Sequence, residues 1–466
     1  MRESLVWDWN QSRVNLGVVF WDGQRHRNMS TQPNIRCGAK PRIVAFTKDW
    51  NDVPTCTTHI LRIMGRTLPV LWIESIGTRK LSLAIGKDWT RVWRRLRQAF
   101  SRAELKENHL RVLSPVVIPK AQSKVVQWIN RWLIQLQING ELRRMGPGPV
   151  EYWCFVPNAV DLLPALLPLP LRERTEVRGG WWGIAKREKS VSREDAKDAK
   201  QDAAGVLNNP PPESPASRVI YYCVDDWSQF HNLDGAWLSR KEDELLRRAD
   251  VVFAASRFLE AKCRKVAGGR VHYMPHGVDH ALFAQALNPD VKEPEDLASV
   301  PHPRIGFYGN LHPWVDLKLV ESLARSHAEW NFVMIGEIYC DVSRLRTLAN
   351  VHFLGRREHK QLPSYCKGFD VAIIPYDMKQ SRMESVNPVK TKELLAAGVP
   401  VVASDIPELR DMGQWVLVCR DRAVWDDAIQ SQLKRRDRRV ISEHMSGEDW
   451  VAKVRVMREI VVGGPP

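Results

Sequence analysis

Short apolar runs alternate with segments of helical periodicity along most of this chain, and this alternation limits the folds that it can adopt. Strand-like runs occur at residues 43–46, 70–73, 152–156, 219–224, 251–255 and 271–274, and again at 305–308, 332–335, 351–354, 371–374, 399–403 and 416–418. The segments between them, such as 55–66, 317–327 and 389–397, have helical spacing. Strands that alternate with helices form parallel, doubly wound sheets. The sequence therefore predicts an α/β chain with two Rossmann-like domains, whose sheets point their carboxyl ends at a shared cleft.

The other segments set the predicted domain boundaries. The segment at residues 166–217 is rich in charged and small polar residues and has three consecutive prolines near its end. It cannot bury enough apolar surface to offset the entropy of ordering. We interpret it as a disordered insertion. The predicted divisions are a loose N-terminal extension at 1–41, a first domain at 42–287 with the insertion at 166–217, a linker at 288–303, a second domain at 304–440, and a closing helix and tail at 441–466.

The net charge of +15 limits the kinds of partner to expect. Such a charge suits nucleic acid, an anionic membrane surface or phosphorylated ligands. Residues 88–102 place Trp89, Trp93 and Phe100 at helical spacing beside a cluster of arginines. This is the composition of a helix at a membrane surface, and a surface helix packed on the core fits it as well. No nucleic-acid-binding motif accompanies the charge, so we predict no nucleic-acid partner.

Several classes of protein are disfavoured by what the sequence lacks. It has no apolar run of about 18 residues and no signal-like start, and its eight cysteines form no CxxC pair. We therefore expect a cytoplasmic chain. The motifs GxxxxGK[ST], GxGxxG, HExxH and GxSxG are also missing, which removes the simplest phosphate-loop, dinucleotide, zinc and serine-hydrolase interpretations. No metal site and no cofactor are predicted.

The segment at residues 385–405 carries the most chemical information. Asn387 is a good N-cap, and Pro388 suits the first helical position. Lys390 then lies in the first turn, and Glu393 lies on the same face. Free N–H groups, a positive dipole end and a lysine suit a diphosphate, and a carboxylate can accept hydrogen bonds from two vicinal hydroxyls. An ordinary capped helix fits these residues as well.

This segment resembles the donor-binding motif of retaining GT-B glycosyltransferases of family 4 (group 1), especially the branch involved in teichuronic acid and related envelope polysaccharides. The resemblance implies that Glu393 holds the nucleotide ribose, that Lys390 lies near the phosphates, and that Asn387 belongs to the donor site. The family often has a second glutamate eight residues before Glu393, where this chain has Ser385. That difference concerns the contacts to the donor sugar.

Other segments follow the family's order. Residues 306–316 resemble the first strand and phosphate-facing loop of the donor domain, which implies donor contacts from Gly309 and Asn310. Glu337 at a strand end either faces the nucleobase or belongs to a structural turn.

The first domain also carries candidate residues. Asp225 and Asp226 follow a predicted strand, so at least one should face the cleft and position or activate an acceptor hydroxyl. A metal-binding role for the pair is the alternative. Asp49 and Asp52 lie after the first strand and should border the acceptor side of the cleft, although Asp52 could simply cap the next helix.

The resemblance implies transfer of a sugar from a nucleotide-diphosphate donor to a hydroxyl of a saccharide or lipid-linked acceptor. It further implies retention at the anomeric carbon, no metal, and a role in the cell envelope. The alternative is a nucleotide-sugar-binding protein of the same fold without transferase activity, because of Ser385 and the unusual loop after the first strand.

Overall fold

The structure is a computed structural model that describes residues 39–52, 54–75, 103–115, 124–164, 217–229 and 234–463. Three sequence predictions lie wholly or largely outside these residues. They are the extension at 1–41, the basic segment at 88–102 and the insertion at 166–217.

The first sheet has eight strands in the order β3-β4-β2-β1-β5-β6-β7-β8. All neighbouring strands are parallel except β3 and β4, which pair antiparallel at the edge. The central strands are buried along their length because helices cover both faces, as in doubly wound folds. The elements are β1 (Arg42–Phe46), α1 (Cys56–Met64), β2 (Val70–Ile73), β3 (Glu104–Glu107), β4 (Leu110–Leu113), α2 (Lys124–Arg144), β5 (Val150–Cys154), β6 (Arg218–Cys223), α3 (Gly235–Arg248), β7 (Val251–Ala254), α4 (Arg257–Ala267) and β8 (Val271–Tyr273).

The second sheet has six parallel strands in the order β11-β10-β9-β12-β13-β14. Two short helices, α5 (His280–Phe283) and α6 (Glu295–Ala298), precede it. Its elements are β9 (Arg304–Tyr308), α7 (Leu317–Ser326), β10 (Asn331–Ile335), β11 (Val351–Gly355), α8 (Leu362–Lys367), β12 (Val371–Ile374), α9 (Val389–Ala396), β13 (Val401–Ser404), α10 (Pro407–Arg410), β14 (Val416–Cys419), α11 (Trp425–Leu433), α12 (Arg438–His444) and α13 (Trp450–Val462).

The last helix, α13, returns to the first domain. Its buried residues Trp450, Val454, Met457 and Val461 join the apolar core of the first sheet, whereas the residues before it join the core of the second. The Asp449 side chain accepts the Val451 N–H at 2.7 Å and caps the helix. Gly277 lies so close that a Cβ there would be 2.8 Å from the Trp450 ring. The predicted closing helix is therefore confirmed.

The predicted pair of Rossmann-like domains is also confirmed. The sequence analysis missed the β3–β4 pair and α2. The helix α2 is apolar on two faces, which blurs the helical period in the sequence. Within the described residues, no helix is long and apolar enough to cross a membrane.

Candidate functional site

A cavity of about 510 Å³ lies between the two domains, where the carboxyl ends of both sheets meet. The first domain contributes the end of β1, the start of α1 and the loop after β6. The second contributes the loop after β9 and the start of α9. Among the residues that line it are Thr47, Thr57, Asp225, His276, Gly309, Asn310, His359, Asn387, Lys390 and Glu393.

The start of α9 differs from the sequence prediction in one respect. Pro388, not Asn387, occupies the N-cap position, and it makes no side-chain cap. The Asn387 side chain instead donates a hydrogen bond across the cleft to the Ala255 carbonyl at 2.8 Å. Lys392 also reaches the first domain, because its Nζ donates to the His276 carbonyl at 2.6 Å. The prediction of an Asn387 cap is therefore wrong, since a contact to the other domain takes this side chain.

Lys390 projects from the first turn of α9 into the cavity. Its ammonium lies 4.5 Å from the centre of the Phe307 ring and 5.5 Å from that of Tyr376. No described residue gives this ammonium a carboxylate partner. Gly309, at φ +132°, lies directly beneath it, and a Cβ at that position would collide with Lys390 Nζ. A cation held by aromatic faces, beside the free N–H groups of a helix start, suits an anionic ligand.

Glu393 is 7% exposed, and two side chains hold it in place. Its Oε2 accepts the Tyr308 hydroxyl at 2.8 Å, and its Oε1 lies 2.7 Å from His359 Nε2. Burial lowers the pKa of His359, but the hydrogen bond and charge of Glu393 outweigh burial and raise it. Each carboxylate oxygen still has a lone pair for a ligand hydroxyl.

The sequence analysis missed both Tyr308 and His359. Tyr308 directly precedes Gly309, which was a usable signal, whereas nothing local distinguishes His359.

The two adjacent aspartates of the first domain have different environments. The Asp225 side chain lines the cavity and is 40% exposed, with the Arg382 guanidinium 3.9 Å away across the cleft. Desolvation of the carboxyl group by the cleft walls raises the pKa of Asp225 to about 6, and the charge of Arg382 opposes that rise.

Asp226 is 7% exposed and does not line the cavity. It accepts hydrogen bonds from Lys262 Nζ and Ser228 Oγ, both at 2.8 Å. Burial raises the pKa of Asp226, but these two donors outweigh burial and lower it. Asp226 therefore belongs to a buried ionic network next to the cavity, while Asp225 faces the cavity.

His276 is a further residue of the first-domain wall, and the sequence analysis gave it no role in this site. Its Nδ1 lies 3.2 Å from the Tyr222 hydroxyl. Burial, assisted by the charge of Lys392, lowers the pKa of His276 to about 3. The imidazole is therefore neutral at physiological pH and offers hydrogen bonds without a charge.

The remaining predicted site residues lie outside this cavity. Asp49 accepts the Ser75 hydroxyl at 2.7 Å, and Asp52 lines an adjoining groove of about 530 Å³. Glu337 is half-buried, and its carboxylate accepts a hydrogen bond from the Arg356 guanidinium at 3.0 Å. Ser385 is buried and donates its hydroxyl to the Arg382 carbonyl at 3.0 Å. Across the described part of the chain, no three His, Cys, Asp or Glu side chains are grouped so that they could hold a metal.

Parts of the chain match known proteins in sequence. Residues 302–435 match the family described as Glycosyl transferases group 1. Over 211 residues the chain is 32% identical to the putative teichuronic acid biosynthesis glycosyltransferase TuaH of Bacillus subtilis. This match covers 42% of the chain and 52% of the relative, so the chain spans about half the length of the curated relative that it matches.

Solved structures share the fold over almost the whole chain. Anabaena Alr3699/HepE in complex with UDP and glucose is 12% identical, with a TM-score of 0.54, over 91% of this chain and 99% of that one. The α,α-trehalose 6-phosphate synthase of Burkholderia multivorans is 11% identical, with a TM-score of 0.53, over 91% and 99%. The chain therefore has the GT-B fold, and its second domain matches the group 1 glycosyl transferases.

Proposed function

We propose that this protein transfers a sugar from a nucleotide-diphosphate donor to a hydroxyl group of a saccharide or lipid-linked acceptor. One observation supports this most strongly. The Lys390 ammonium and the Glu393 carboxylate lie three residues apart at the start of α9, and both line the cavity between the domains. The match of residues 302–435 to group 1 glycosyl transferases and the teichuronic acid relative support it too.

The second domain would bind the donor. Glu393, fixed by Tyr308 and His359, would accept hydrogen bonds from the ribose hydroxyls. Lys390 and the N–H groups of α9 would face the diphosphate, and Gly309 and Asn310 would border it. Charge develops on the diphosphate as it leaves, and a preplaced ammonium at a helix start stabilises that charge.

The first domain would hold the acceptor. Asp225 is the carboxylate of this wall that faces the cavity, and it is largely ionised above about pH 6. It would orient the acceptor hydroxyl and receive its proton. Asp226 would instead position the loop through Lys262. We infer transfer with retention at the anomeric carbon, which rests on the resemblance to the retaining group 1 enzymes. We also infer that no metal takes part, because Lys390 with the start of α9 supplies the positive charge.

The biological setting rests on the relative's description and on charge. We infer a role in envelope or exopolysaccharide synthesis, on the cytoplasmic side of the membrane. The basic segment 88–102 would support contact with an anionic membrane surface.

Two substitutions test the donor site. Lys390→Ala and Glu393→Ala should each weaken binding of nucleoside diphosphates about 10- to 100-fold, because each removes a charge-assisted hydrogen bond of roughly 1.5–3 kcal/mol. Titration calorimetry across several nucleoside diphosphates measures this. Lys434→Ala and Glu443→Ala are matched controls, since both residues are exposed on the second domain away from the cavity.

Unchanged nucleotide affinity in both test variants would refute the donor site. Release of nucleoside diphosphate from nucleotide sugars, on addition of an acceptor, separates the transferase from a protein that only binds the donor. A binding protein would release none.

A further inference from the structure

The helix α2 (Lys124–Arg144) exposes three large apolar side chains in one line. Trp128, Trp132 and Leu136 are 67%, 53% and 52% exposed. Residues four apart lie above one another on a helix, so the three form a continuous surface. We call this surface the tryptophan stripe.

The packing of α2 on the first domain does not use this stripe. Ile134, Ile138 and Leu142, on another face of the helix, are buried in the core. Arg131 Nη2 donates to the Leu163 carbonyl at 3.1 Å, and Gln135 Nε2 donates to the Leu162 carbonyl at 2.5 Å. The helix is therefore anchored by one apolar face and presents a second one outward. A surface helix needs only one apolar face to fold, so a second one indicates a partner.

The residues around the stripe indicate the chemistry of that partner. Further along the same helical line come Asn139 and Arg143, both exposed, whereas Arg144, exposed beside them, is ion-paired with the Glu141 carboxylate. No described carboxylate pairs with Arg143. The chain as a whole has a net charge of +15. Tryptophan rings followed by guanidinium groups match the boundary between lipid tails and anionic headgroups, where indole rings are favoured and cations are attracted.

The size of the stripe argues against a second copy of the chain as the partner. Two tryptophans and a leucine with these exposures present roughly 250–400 Å². A stable protein dimer usually buries about 800 Å² on each partner. A lipid surface has no such minimum, because a few inserted side chains add to the attraction of the protein's charge for the headgroups.

We propose that the tryptophan stripe docks this protein on an anionic lipid surface. The helix α2 connects β4 to β5, which point the same way in the sheet, so it runs back antiparallel to them. Its N-terminal end, with Trp128, therefore lies toward the edge of the sheet that borders the cavity. Docking brings that edge near the lipid, where a lipid-linked molecule could reach the cleft. The docking itself does not depend on the proposed transferase activity.

Vesicle flotation of the full chain tests the proposal. Wild type should float with vesicles of phosphatidylcholine containing about 30% phosphatidylglycerol, and less with phosphatidylcholine alone or at high salt, because screening weakens the attraction. Trp128→Ser/Trp132→Ser should reduce partitioning about tenfold or more. The matched control is Val440→Ser/Val462→Ser, which changes two residues that are 52% and 66% exposed elsewhere. The control should float as wild type does.

Some results would overturn the proposal. Docking through the stripe would be refuted if wild type stays in the bottom fraction of the gradient. It would also be refuted if the tryptophan variant floats as well as wild type. Sedimentation velocity addresses a second copy. A wild-type dimer that the tryptophan substitutions convert to monomer, without any flotation, would show that the stripe pairs with itself. The tryptophan variant should unfold at the same temperature as wild type, which would show that its loss of flotation is not caused by loss of folding.

Discussion

The contact between Gly309 and Lys390 allows a sharp test of the site. A Cβ at residue 309 would occupy the place of the Lys390 ammonium, so Gly309→Ala should push that ammonium off the Phe307 ring. The backbone there has φ +132°, which side-chain-bearing residues rarely adopt, and the strain should cost roughly 1–3 kcal/mol of unfolding free energy. Because the lysine end is flexible, the chain should still fold. The displaced ammonium should then weaken nucleoside diphosphate binding by about 1.5–3 kcal/mol, or roughly 10- to 100-fold.

A double-mutant cycle separates the two effects. Nucleotide affinity is measured by calorimetry for wild type, Gly309→Ala, Lys390→Ala and the double variant. If Gly309→Ala weakens binding by displacing the Lys390 ammonium, it should have little further effect on nucleotide affinity in a protein that already carries Lys390→Ala. Gly413→Ala is the control for backbone strain alone, since Gly413 has φ +54° with nothing within 4 Å of a Cβ. It should lower the unfolding temperature and leave affinity unchanged.

Two outcomes would refute this reasoning. Wild-type affinity in Gly309→Ala would mean that the ammonium is not displaced or does not face the nucleotide. An equal loss of affinity with and without Lys390 would mean that the residue 309 backbone, not the lysine, makes the contact.

Three further predictions follow from the site and the closing helix. Asp225→Asn should abolish transfer, and the wild-type rate should fall as pH drops through about 6, because the carboxylate becomes protonated; a flat pH–rate profile would contradict this. The pKa of His359 is raised in the folded state, so its pairing with Glu393 stabilises the fold fully below the unfolded pKa of about 6.5 and loses that effect as pH rises through the folded pKa. Chemical denaturation should therefore show that His359→Gln loses roughly 1–2 kcal/mol at pH 6 and less at pH 9, and an equal loss at both would argue against an ionic pair. Trp450→Ala should cost about 3–5 kcal/mol in thermal unfolding, because a ring that is 3% exposed leaves a cavity between α13 and the first domain. Val462→Ala, at a residue that is 66% exposed, should change stability by less than about 0.5 kcal/mol. A loss in Trp450→Ala as small as that in the control would show that α13 does not depend on this ring.

Local sequence patterns were enough to predict the position of several residues of the candidate site. Lys390 and Glu393 could be predicted because both lie on one helix, where three-residue spacing fixes a shared face. Asp225 could be expected at the cleft because it follows a strand of a parallel sheet, and such strand ends border ligand sites. The spacing could not decide which of the two adjacent aspartates faces the cavity. In the structure, Lys262 of α4 donates a hydrogen bond to Asp226 and holds it away from the cavity, so Asp225 is the one that faces it.

The sequence by itself determined the two doubly wound domains, since strand and helix periods are local and repeat along the chain. Only the tertiary structure decided the partners of the site residues. Tyr308 donates a hydrogen bond to Glu393, which is 85 residues away in the sequence. Asn387 donates one to the Ala255 carbonyl, which is 132 residues away. Such contacts depend on how the sheets and helices pack, and no periodicity encodes that packing. For this reason the helix of the candidate site could be located in advance, while the side chains that hold Glu393 in place could not.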